Sequence, residues 1–188
     1  MQKIKIFFVL IVLIISSSSC KKVEKSYYPN GAIKSKIEFR SGKENGQAIY
    51  YADHNPLPLL VITMKDGKRN GSMIRYFFNG NYEITATYVD DLLEGKYTEY
   101  YLEGGKSLEC SYLRGKKDGY YVTYHENGLI KEKGAFINDL YHGDWEYFDE
   151  RGFSVGEGAF DNGTGIHKAY YENGNVMRIT HYVDNMKD

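Results

Sequence analysis

Cysteine, proline and tryptophan are nearly missing from this chain. Its 188 residues hold two Cys, three Pro and one Trp. Two cysteines cannot build a disulfide framework, and three prolines exclude a collagen-like or polyproline rod. Lys and Arg never gather into a dense run, and the formal charge is −1, so a nucleic-acid footprint is absent. After residue 20 no window keeps apolar residues at the 3.6-residue spacing of an amphipathic helix. The longest apolar run, residues 6–15, is half of the roughly 20 residues needed to span a bilayer. His-x₃-His and paired Cys-x-x-Cys spacings are missing, as is a Gly-Lys-Ser/Thr phosphate loop.

What is abundant is glycine and aromatic side chains: 20 Gly, 19 Tyr and 9 Phe. Many tight turns between short, aromatic-rich segments predict an all-β chain.

The N-terminus has its own logic. Lys3 and Lys5 precede the apolar run, and Ser16-Ser17-Ser18-Ser19-Cys20 follows it, the layout of a secretory signal. The Cys at the end of the small-residue string resembles a bacterial lipoprotein box, although Ser17 stands where Leu is commonest. That resemblance implies cleavage after residue 19 and acylation of Cys20, whose two or more chains suffice for stable anchoring. The expected organisation is a signal peptide over 1–19, a lipidated Cys and tether over 20–26, and a repeat array over 27–188. Loss of Lys3 and Lys5 leaves 22 basic and 25 acidic side chains, a charge of −3. Cys110 then has no thiol partner and reads as a small buried hydrophobe.

The array is visible in its spacing. Gly80, Gly104, Gly128, Gly152 and Gly174 follow one another at 24, 24, 24 and 22 residues. Gly46, Gly71, Gly95, Gly119, Gly143 and Gly165 follow at 25, 24, 24, 24 and 22. Five residues after the second series stands a first aromatic column: Tyr51, Tyr76, Tyr100, Tyr124, Phe148 and Tyr170. Eight residues after the first series, extended back to Gly31, stands a second: Phe39, Tyr88, Tyr112, Phe136, Phe160 and Tyr182. A fixed period of this size marks a repeat architecture. Each unit reads as strand, turn, returning strand and Gly-containing loop. Asn30-Gly31, Asn79-Gly80, Asn127-Gly128 and Asn173-Gly174 supply hairpin tips tolerant of positive φ. The expected fold is a single twisted antiparallel meander of about thirteen strands. One hairpin is expected to be irregular, because His54-Asn-Pro-Leu-Pro58 replaces Asn-Gly.

The run Tyr124-His-Glu-Asn-Gly-Leu-Ile130, then Phe136, then His142-Gly-Asp-Trp-Glu-Tyr-Phe148 resembles the MORN repeat in its bacterial variant. The resemblance covers residues 27–186 and extends to the YwqK-type antitoxin family. It implies a non-catalytic array that binds a protein partner at the cell envelope, in an antitoxin- or immunity-type role.

The residues themselves point the same way. The five His share no repeat position, the carboxylates are scattered, and no catalytic, metal or cofactor-binding set converges. Aligned aromatics serve either as the packing of the sheet or as a recognition surface. Trp145 and Tyr147 are the candidate surface binders, and a wall-glycan-binding module is the alternative function, weakened by the presence of a single Trp. The expected partners are a protein and, through the lipid, a membrane.

Overall fold

The structure, a computed structural model, describes residues 20–187; the expected signal segment lies outside them. In chain order the strands are β1 (Lys21–Tyr27), β2 (Ile33–Arg40), β3 (Lys43–Tyr51), β4 (Pro58–Lys65), β5 (Lys68–Tyr76) and β6 (Tyr82–Val89). Then come β7 (Leu92–Leu93), β8 (Gly95–Tyr100), β9 (Lys106–Leu113), β10 (Lys116–Tyr124) and β11 (Ile130–Ile137). The last are β12 (Leu140–Phe148), β13 (Ser154–Asp161), β14 (Thr164–Tyr170), β15 (Val176–Val183) and β16 (Met186–Lys187). All belong to one antiparallel sheet in which each strand pairs with its sequence neighbours, β7 and β8 being two pieces laid against β6. The all-β meander is as expected, with sixteen strands rather than about thirteen. Part of the surplus is at the ends: β16 is short, and β1 occupies the stretch expected to be a tether. Lys21–Tyr27 alternates well enough to pair with Arg40–Ile33 over its whole length, so Cys20 stands directly before a strand.

Two kinds of turn alternate along the sheet. One is a two-residue turn with both φ values positive, as at Arg114-Gly115 (51°, 83°) and Asn138-Asp139 (51°, 70°). This type I′ geometry matches the right-handed twist of the strands it joins. The other is the three-residue tip. At His125–Leu129 the His125 N–H donates to the Leu129 carbonyl and the Gly128 N–H donates to the His125 carbonyl, 2.8 and 2.9 Å. Only the Gly of each Asn-Gly tip has positive φ; Asn127 and its equivalents do not. The role of Asn there differs from the expectation. Its side-chain oxygen accepts from the N–H two residues on, for example Leu129 N to Asn127 Oδ1 at 3.0 Å, the local bond for which Asn is favoured in turns.

The departure of the last unit from 24 residues has a structural cause. Across β9 and β10, Tyr112 pairs with Lys117 but Cys110 pairs with Tyr121, so four steps on one strand answer two on the other. The same two-residue bulge recurs between β2 and β3, β4 and β5, and β11 and β12. Between β13 and β14 the pairing runs unbroken from Asp161–Thr164 to Gly156–Ala169. The 22-residue spacing is a unit without its bulge. Gly46, Gly71, Gly95, Gly119 and Gly143 have positive φ, whereas Gly165 does not.

Residues paired across strands share a face, which separates the two aromatic columns. The second column lies on the face that carries every buried hydrophobic residue: Ala48, Ile62, Ile84, Ala86, Cys110, Phe136, Trp145, Phe160 and Ala169. Cys110 is buried, as expected. The first column lies on the other face and is half-buried, beside buried Thr98 and Glu109.

Candidate functional site

The best-packed region is an aromatic cluster on the core face of β10–β15. Trp145, 1% exposed, is its centre. Its ring centroid lies 4.8 Å from that of Tyr141, 5.2 Å from Phe136 and 5.5 Å from Tyr121. Phe160 extends the cluster to Tyr182 at 5.6 Å. These tilted and edge-to-face arrangements each add about 0.5–1.5 kcal/mol to the burial of the rings. The expectation that Trp145 is a surface binder is corrected here. Glycines at 134 and 158 leave the sheet bare on both flanking strands; the indole fills the space over Gly134, and the Phe160 ring with the Cβ of Trp145 fills that over Gly158. Its N–H is buried without a partner. Tyr147 is half-buried, its ring tilted against that of His167 at a centroid distance of 4.5 Å. Burial pushes the Tyr147 hydroxyl pKa up and, with Arg178 and Lys187, pushes that of His167 down.

On the opposite face, Glu109 is 9% exposed and paired with Lys96, with Lys106 at 3.1 Å and with the Tyr124 hydroxyl at 2.9 Å. Every carboxylate oxygen is occupied by a cation or a donor, so this is a structural clasp holding β8, β9 and β10.

The three-residue tips form a third region along one long edge of the sheet. Their side chains reach from unit to unit. Asn55 Nδ2 donates to the Phe78 carbonyl at 3.2 Å, Asn79 Nδ2 to Leu102 at 3.3 Å and Asn127 Nδ2 to Glu150 at 2.6 Å. The Tyr101 hydroxyl and a ring N–H of His125 reach the carbonyls of Tyr124 and Phe148 in the same way. The irregular second tip keeps its place in this ladder, because Asn55 Oδ1 accepts from Leu57 N, as Asn does in the regular tips. Between neighbouring tips lie open grooves, one of about 560 Å³ lined by Arg151, Phe153, Tyr170 and Tyr171. Exposed on this edge are Leu57, Phe78, Leu102, Leu129, Phe153 and Tyr171, interspersed with Glu103, Glu126, Glu150 and Glu172.

No group of three or more His, Cys, Asp or Glu residues suited to a metal occurs among the described residues. His142 of β12 approaches Asp161 of β13 at 3.6 Å, and His54 approaches Asp53 at 2.8 Å in the loop between β3 and β4, so the two pairs lie far apart along the array.

Sequence reasoning missed three features. Tyr27, 24 residues before Tyr51, is a first-column member. Met64, opposite Gly46, takes the second-column place of the irregular unit. Tyr141, which packs on four aromatic neighbours, sits one position before His142-Gly143, off both column spacings.

The family model of the MORN repeat variant matches the chain at residues 22–41 and 164–184. Each match covers one hairpin, β1–β2 and β14–β15, and the second begins on β14, which pairs with β13 without the bulge. The matched repeat is a non-catalytic type whose members generally bind proteins or membranes. A search of curated proteins finds no match.

Proposed function

We propose that this chain is a lipid-anchored, non-catalytic scaffold of the bacterial cell envelope that holds another protein along its tip edge, in an antitoxin- or immunity-type role. The observation that carries the reading is the tip edge itself. It sets an apolar side chain in exposed position at tip after tip, with carboxylates between, on a backbone braced by the Asn ladder. An array of this kind offers an extended binding surface because each unit repeats the same presentation.

Cys20 supports the anchoring half of the proposal. It is exposed, free and placed directly before β1, with Lys21, Lys22, Arg40 and Lys43 in the adjoining strand ends. Acylation there would attach the array with almost no slack. Mass spectrometry of the membrane fraction tests it: a mature chain beginning at acylated Cys20 is expected, and an unmodified Cys20 or a chain beginning at Met1 overturns it.

The alternative, a wall-glycan-binding module, loses its platform with the burial of Trp145 and would have to use Phe153 and Tyr171 at the tips. Immobilised chain is exposed to envelope extract and, separately, to purified wall glycans. Retention of one defined protein by the native chain, abolished by Phe78→Ser with Phe153→Ser, is the expected result. Saturable retention of glycan alone refutes the scaffold.

A further inference from the structure

Charge is divided unevenly along the chain. Residues 20–75 hold 11 Lys and Arg against 5 Asp and Glu, a net +6, whereas residues 76–188 hold 11 against 20, a net −9. Every strand pairs with its sequence neighbours, so the division becomes one in space: β1–β5 make a basic part of the sheet and the strands after them an acidic part. A separation of this size sets up a field that sorts approaching partners by the sign of their charge.

The tip edge follows the same division. Two residues before the tip Gly stand Pro29, Phe78 and Leu102 in earlier tips, but Glu126, Glu150 and Glu172 in the three that follow, and Glu103 adjoins Leu102. All four carboxylates are exposed. Arg151 holds Glu172 at 3.1 Å. Among the described residues Glu103, Glu126 and Glu150 have no salt-bridge partner. Each of these four tips sets one carboxylate beside one exposed apolar side chain: Glu103 by Leu102, Glu126 by Leu129, Glu150 by Phe153 and Glu172 by Tyr171. Between the tips of Glu126 and Glu150 lies an open groove of about 370 Å³, whose lining includes His125 and Lys131.

We infer that the partner of the tip edge is a basic amphipathic helix, whose Lys or Arg side chains meet Glu103, Glu126, Glu150 and Glu172 in turn. The inference rests on the tip edge being the partner surface. Neighbouring tips are two strands apart, about 9.6 Å at the usual strand spacing. Every seventh residue of an α-helix recurs at about 10.5 Å on one stripe. A cation at one heptad position, with an apolar residue three or four places on, therefore meets the carboxylate and the apolar group of tip after tip. A strand does not fit: its residues three apart, about 10 Å, point to opposite faces. The tip backbone is also bonded within its own turn and to the neighbouring Asn. Over β1–β5 the same helix would meet like charge, so the field confines it to the acidic part.

The test uses the full chain carrying Cys20→Ser and a synthetic helix of four heptads, with Lys at each first and Leu at each fourth position. Fluorescence anisotropy should show saturable binding that weakens about tenfold between about 50 and 300 mM NaCl. Glu126→Lys with Glu150→Lys, both at exposed turn positions, should weaken it by about tenfold or more and leave the melting temperature unchanged. Glu24→Lys on β1 should have no effect. A peptide of the same composition with its Lys gathered at one end should bind more weakly. No binding of the heptad peptide, equal binding of the two peptides, indifference to the paired Glu variant, or tighter binding of a proline-rich peptide with Lys at every third residue would overturn the inference. The envelope protein retained by the immobilised chain separates this from the scaffold reading. Release by Phe78→Ser with Phe153→Ser, but not by Glu126→Lys with Glu150→Lys, removes the basic helix and keeps the scaffold. Retention indifferent to both pairs removes both.

Discussion

The indole of Trp145 lies directly on the α-carbon of Gly134, so close that a methyl group at residue 134 would overlap the ring. The two residues sit on neighbouring strands beside the bulge of β12, where Lys133 pairs with Glu146. Gly134 is needed for this contact, and its φ lies outside the positive region.

Gly134→Ala should therefore destabilise the fold by about 1–3 kcal/mol, the usual penalty for overpacking. Gly105→Ala, where nothing lies within 4 Å of the new methyl group, should be neutral within about 0.5 kcal/mol. Urea unfolding of the two variants compares them, and equal costs would contradict the packing described for Trp145.

Phe136 and Tyr182 belong to the same aromatic column but differ in company. Phe136 is buried against Tyr121, Tyr141 and Trp145 at 5.0–5.2 Å. Phe136→Ala should cost about 3–5 kcal/mol. Tyr182 is half-buried and meets Phe160 and Tyr141 from one side, so Tyr182→Ala should cost less than half as much. Since stability in an array is roughly a sum of neighbour terms, equal losses would argue against a ladder of local contacts.

Glu109 gives the fold an acid sensitivity. Burial raises the pKa of its carboxyl group, but hydrogen bonds from Lys96, Lys106 and Tyr124 outweigh that and hold it at about 2. The folded pKa lies below the unfolded one, so this group stabilises the protein above about pH 4.5 and ceases to do so as pH falls toward 2. The contribution is about 1–3 kcal/mol, because both lysines are half in solvent. Stability measured from pH 7 to 2.5 should show Glu109→Gln weaker than the native chain at neutral pH and converging with it in acid. A constant gap over the whole range would assign the loss to packing instead.

Cys110 should be chemically silent in the folded chain. Burial pushes its thiol up to about 11 and shields it from reagents. In a Cys20→Ser background, reaction with a disulfide reagent at pH 8 should proceed at the rate of unfolding and become immediate in urea. Fast labelling without denaturant would mean that the core face opens locally.

The period, the all-β class, the antiparallel order and six members of each column followed from the sequence alone, while Tyr27 and the second-column place of Met64 did not. Tight turns need Gly and Asn, strands need aromatic and β-branched residues, and a repeat enforces the same solution at each return. Spacing also marked the last unit as short, but not why. Deciding that the missing pair of residues is the bulge required the strand register, since a bulge changes pairing without changing residue types. Tertiary structure alone settled which rings are inside. Trp145 and Tyr147 alternate with Asp144 and Glu146 and so share one face of β12, but the glycines that make room for Trp145 lie 11 residues before it and 13 after it, meeting it only through the pairing of β11, β12 and β13. The expected tether became β1 for the same reason: a charged segment on its own has no structure, and it gains one when β2 presents a free edge to pair with.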